Sequence, residues 1–150
     1  MKRIVTCLLL FYALAVGAST LTGAADEEAP QMKAVEDDMH EFMEYAFEPF
    51  FHELKESLAK EPADKRAWKP VKANSLILAE NGNLLMLRGP EENKDAWNRL
   101  AHEMRDQGKL LYSAAKKRDY ASTRRHYEAF VSNCNACHEQ FADGEHIQKP

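Results

Sequence analysis

The chain has 150 residues, 45% of them hydrophobic and 29% charged, with 24 acidic against 20 basic side chains and a net charge of −4. That length suits one domain. The acidic balance excludes a nucleic-acid-binding role, which needs a basic face.

The first residues, MKRIVTCLLLFYALAVGASTLTGAADEEAP, carry two cations, an apolar run from Ile4 to Val16 and then small residues. This is the layout of a secretory signal peptide, assigned to residues 1–25, with cleavage points after Ala18 or near Ala24–Ala25. The apolar run falls short of the roughly 20 residues that span a bilayer, and no other segment is long and apolar enough. A periplasmic or otherwise exported protein is expected, with no membrane association after cleavage. Cys7 leaves with the signal. Loss of Lys2 and Arg3 leaves 18 basic residues against 24 acidic, a net charge of −6.

Residues 26–150 read as helices. Apolar residues recur in steps of three and four at Met32, Val35, Met39, Phe42, Met43, Ala46, Phe47, Phe50, Phe51, Leu54 and Leu58, which predicts a first helix. Pro49 should kink or split it. A second helical stretch runs from Ala63 to Leu87, with Trp68, Val71, Leu76, Ala79 and Met86 inward. Asn81-Gly82 inside it is a turn-type pair. After RGPEEN, a third stripe is made by Trp97, Leu100, Met104, Leu111 and Ala115. After KKRDY, a fourth is made by Tyr127, Phe130, Val131, Cys134, Cys137, His138 and Phe141, with Asp143-Gly144 as C-terminal cap. No segment shows strand alternation. The prediction is an all-α fold, an antiparallel four-helix bundle. Most of these apolar residues need no role beyond the core.

The residues with chemistry lie in SNCNACHEQF, residues 132–141. Cys-x-x-Cys serves thiol–disulfide exchange, zinc binding or covalent haem attachment. A redox pair normally places its nucleophile at a helix N-terminus, where the dipole lowers the thiol pKa; these cysteines sit near a helix C-terminus. Zinc needs about four ligands, and Cys134, Cys137 and His138 make three at most. His40, His52, His102, His126 and His146 are scattered and read as surface or satisfied histidines rather than ligands. Cys-x-x-Cys-His is the attachment signature of c-type haem. On a helix its three functional side chains project to one side. One covalent haem c per chain is expected, near the C-terminal end of the fourth helix, with thioether links at Cys134 and Cys137 and His138 as the proximal iron ligand.

A signal peptide, four helices and CNACHEQF near the C-terminus resemble the class II cytochromes c, the cytochrome c′ group. The architecture matches over the whole exported chain, and the specific match is the motif, with Phe141 as the aromatic residue one turn after the histidine. The family commonly has a basic residue next; this chain has Ala142. The resemblance implies that the opposite haem face is covered early in the first helix, by methionine in electron carriers and by a non-coordinating residue in gas-binding members. Met39 is the first candidate for that position and Met32 the second. Met39 is expected two to three turns into its helix, on the inward stripe with Phe42 and Met43.

The expected function is periplasmic electron transfer with redox partner proteins, without an enzymatic substrate. The alternative is a five-coordinate binding protein for nitric oxide or carbon monoxide. The resemblance also implies a homodimer through the first two helices. Phe47, Phe50 and Phe51 exceed what one narrow core accepts, which agrees with that.

Overall fold

A computed structural model of the chain describes residues 31–150. The signal peptide expected over residues 1–25 lies outside the described residues. Among the described residues the fold is all-helical and has no strand. Four helical rods pack into a bundle.

The first rod consists of α1 (Met39–Phe42), a π turn (Met43–Phe47) and α2 (Glu48–Leu58), run end to end. It begins later than the apolar period predicts: Met32 and Val35 precede it and are 71% and 100% exposed. Asp38 sets the start. Its carboxylate accepts a 3.0 Å bond from the Glu41 backbone N–H, one of the donors that every helix start leaves without a partner. Arg88 secures the approach, with its guanidinium 3.8 Å from the Phe42 ring centroid and its Nε donating to the Glu36 carbonyl at 3.0 Å.

Pro49 does not split the rod, which stays helical from Met39 to Leu58. A proline lacks the N–H and crowds the carbonyl four residues back. The chain accommodates it with the π turn immediately before, where the Glu48 N–H donates to the carbonyl of Met43, five residues back. The buried Asn81 amide donates to the carbonyl of Ala46 inside this turn.

The second rod is α3 (Trp68–Leu85), extended by a 3₁₀ turn over Met86–Arg88. Asn81-Gly82 lies inside the helix rather than at a turn, because the glycine serves the crossing with α4 (Lys94–Lys117). A Cβ on Gly82 would stand 2.7 Å from the Arg105 nitrogen, and one on Gly108 would stand 2.7 Å from Ala79 Cα. Leu76 is 39% exposed, contrary to its expected inward place. The inward position belongs to its neighbour Ser75, whose hydroxyl donates to the Val71 carbonyl at 2.6 Å. Leu78 and Leu85 continue that face. Met86 is half-buried.

Between α4 and α5 (Tyr120–Phe141) the chain reverses at Arg118, which has φ 58° and donates to the carbonyls of Ala114 and Ala115. Asp119 then caps α5, accepting from the Ser122 N–H at 3.0 Å.

Side-chain pairings give the directions. Tyr120 Oη donates to the Leu58 carbonyl at 3.1 Å, and Phe51 stacks on Tyr127 at 6.2 Å, so the first rod and α5 are antiparallel. Asn133 donates to the Leu100 carbonyl and Phe141 meets Trp97 edge-on, so α4 and α5 are antiparallel too.

Leu54, Leu58, Leu78, Leu111, Tyr127 and Phe130 are 0% exposed, and each large apolar side chain so buried is worth about 1.5–3 kcal/mol. Phe47 and Phe51 are also buried, and Phe50 packs half-buried against the same core. The aromatic surplus inferred from the sequence is therefore absorbed within one chain. No helix among the described residues is long and apolar enough to cross a membrane.

Candidate functional site

Away from the Leu58–Tyr120 contact, a cavity of about 390 Å³ opens between the first rod and α5. Its deep wall is apolar, formed by Phe47, Phe51, Leu78, Leu85, Met104 and Phe130, all buried. Trp97 closes one side. Its indole N–H donates to the Leu85 carbonyl at 2.8 Å, and Phe141 meets its ring at 5.1 Å and 79°.

Cys134, Cys137 and His138 all line this cavity. They lie on the last turns of α5 at spacings of three and four, so the helix itself brings them to one face. Both cysteines are free thiols, Cys134 buried and Cys137 half-buried. Burial pushes the Cys134 thiol up to about 12 and the Cys137 thiol up to about 11. Both are therefore neutral near pH 7. That is the reverse of the lowered thiol pKa that disulfide exchange requires. Among the described residues no group of three or more His, Cys, Asp or Glu side chains could hold a metal ion.

His138 is half-buried, and burial lowers its imidazole pKa. Its Nδ1 lies 2.9 Å from the backbone carbonyl oxygen of His146. A carbonyl only accepts, so Nδ1 carries the proton and Nε2 keeps its lone pair. This is the tautomer of a histidine that ligates a metal through Nε2.

Met39 lines the cavity, and so does Met43. Met39 is, however, the first residue of α1, not two to three turns in as its spacing implied. The helix starts at the Asp38 cap, and Met39 falls in the opening turn as a result. Met32 is 71% exposed and is not among the lining residues. Ala142 also reaches the cavity wall.

Three histidines read as surface or satisfied rather than as ligands, His40, His52 and His146, stand around the opening. The His146 ring lies 6.4 Å from the rings of both His138 and His40. His40 is 3.8 Å from Glu44, and His52 is 3.3 Å from Glu48; both pairs are exposed and contribute little stability. His102 and His126 do not reach the cavity.

The part of the site that sequence reasoning missed is the segment after α5. His146 and Gln148 both line the cavity. GEHIQKP has neither periodicity nor a motif, so no signal pointed to it. Comparison with protein-family models, with characterised proteins and with solved structures finds no match.

Proposed function

We propose that the chain is an exported c-type cytochrome that carries one covalent haem c and transfers electrons between protein partners, without a substrate of its own. The observation that carries this reading is the convergence of Cys134, Cys137 and a His138 free at Nε2 on a single apolar cavity. The residues fit the group. A flat, largely apolar macrocycle needs an apolar slot, two thiols on one edge and an imidazole beneath its centre.

In this reading Cys134 and Cys137 would hold the group through thioether bonds, His138 Nε2 would be the first iron ligand and Met39 the second, and a methionine thioether ligand would favour the reduced state. Haem iron in such a site supplies reversible one-electron chemistry. Phe47, Leu78 and Phe130 keep water from the slot, and the half-exposed rim formed by Cys137, His138 and Ala142 gives a partner its approach.

One observation favours a second reading. A methionine in the opening turn of a helix is less rigidly held than one deeper in. A distal site without a protein ligand would make the chain a five-coordinate binding protein for nitric oxide or carbon monoxide.

The test is expression of the full chain, leader included, in a host competent in c-type maturation. The exported product should weigh more than its polypeptide by one haem and keep its colour through acid–acetone extraction. The double variant Cys134→Ala, Cys137→Ala should lose both. A colourless wild-type product would overturn the reading. A high-spin ferric spectrum would select the gas-binding alternative.

A further inference from the structure

The segment after α5 is tied to the rest of the molecule more firmly than its polar sequence suggests. Left-handed backbone at Asp143 (φ 51°), Gly144 (φ 75°) and His146 (φ 59°) turns the chain back on itself. The reversal closes on His138, whose backbone carbonyl accepts from the N–H groups of Ala142 at 2.9 Å and Gly144 at 3.1 Å. Asn135 then grips the returning chain at two points. Its Nδ2 donates to the Gln148 carbonyl at 3.0 Å, and its Oδ1 accepts from the Gln148 N–H at 2.8 Å. Gln148 Nε2 donates to the His146 carbonyl at 2.8 Å, the same oxygen that accepts from His138. From the first rod, Lys55 Nζ donates to the Lys149 carbonyl at 2.6 Å.

We infer that residues 143–149 form a strap that sets the tautomer and rotation of His138, and that Asn135, inside the Cys-x-x-Cys-His motif, is its positioning residue. A neutral imidazole in water exchanges between two tautomers. Here one carbonyl, held from both sides, selects Nδ1–H and aims Nε2 at the cavity. A side-chain amide suits the anchor because it donates and accepts at once, matching the N–H and C=O of one backbone residue. At a motif position whose side chain sequence logic leaves free, Asn135 joins haem attachment to ligand geometry. The consequence for iron rests on the proposed function; the consequence for the His138 tautomer does not.

The experiment therefore has two arms on the full chain. The first reads the ring ¹⁵N shifts of His138 in haem-free protein at pH 7.5. Wild type should be Nδ1–H. Asn135→Ala should move His138 toward the Nε2–H form, with Asn135→Asp in between because it still accepts from the Gln148 N–H. Gln148→Pro removes that N–H, and with it the side-chain amide on the His146 carbonyl, from a residue outside every helix, so it loosens the strap from its own side and should reproduce the Asn135→Ala shift. The second arm measures the midpoint potential of haem-loaded protein. The acceptor on Nδ1–H makes the imidazole a stronger donor and favours the oxidised state, so Asn135→Ala should raise the potential. An unchanged Nδ1–H tautomer in both Asn135→Ala and Gln148→Pro would overturn the strap. Failure of wild type to acquire haem would overturn the proposed function instead, while the first arm still decides this inference.

Discussion

The side chain of His138 is hydrogen-bonded to the backbone, not the ring, of His146: Nδ1 stands 2.9 Å from that carbonyl oxygen. The ring of His146 stands instead 3.8 Å from the Glu145 carboxylate, and within the motif only His138 has an imidazole lone pair to present to the cavity. His138→Ala should abolish the native absorption spectrum of the haem-loaded protein. Retention of that spectrum in the variant would assign the ligand to another histidine at the opening, such as His146 or His40.

Met39 is the proposed distal ligand, and a substitution tests it. Met39→Ala should convert low-spin ferric haem to high-spin and let ferrous haem bind carbon monoxide. Met43 lines the same cavity one turn further on, so Met43→Ala is the control. A spin change in Met43→Ala with none in Met39→Ala would move the ligand by one turn.

That Cys134, Cys137 and His138 share one cavity was legible for a physical reason. Cys134, Cys137 and His138 span little more than one helical turn, so a short motif and the helix period together fix their common face. Most of the four apolar stripes was legible because each rod buries one side, Leu76, Met32 and Val35 being the exposed exceptions. What escaped depends on partners distant in sequence. The start of the first rod rests on the Asp38 cap and on Arg88, which reaches across from the end of the second rod. Asn81-Gly82 is a turn signal locally and a helix crossing only once Arg105 is beside it. The strap is invisible because its bonds run through backbone atoms, which every sequence supplies.

The crossing of α3 and α4 gives a stability prediction. Alanine normally gains about 1 kcal/mol over glycine inside a helix. At Gly82 the added Cβ meets Arg105 backbone at 2.7 Å, which the helix can relieve only by moving. Overpacking of this kind costs typically 1–3 kcal/mol, so Gly82→Ala should destabilise the fold by about 1 kcal/mol net. Chemical denaturation measures it; a rise in stability would show that the two helices separate easily.

Asp119 provides the pH dependence. The Ser122 backbone N–H holds its carboxyl below the usual value of 3.8, with the Ser122 side chain adding to this. A depressed acid favours the folded state above its unfolded pKa, and the gain disappears as pH falls through the lower folded value. Wild type should therefore lose stability on acidification below about pH 4 more steeply than Asp119→Asn. Melting temperatures across pH 2–6 test this, and parallel curves would remove Asp119 from the acid transition.

The π turn before Pro49 has a consequence for how the cavity wall tolerates change. Met39, Met43, Phe47 and Phe51 recur every four residues and all line the cavity. An uninterrupted α-helix advances about 100° per residue, so Met39 and Phe51 would point about 120° apart. The one extra residue that a π turn accommodates takes back about 100° of that, which brings the two ends of the wall into phase. The turn therefore absorbs one residue without turning the wall. Replacing the exposed Tyr45 changes only the surface, and deleting it would return the rod to a plain α-helix in which Met39, now eleven residues before Phe51, still points within about 20° of it.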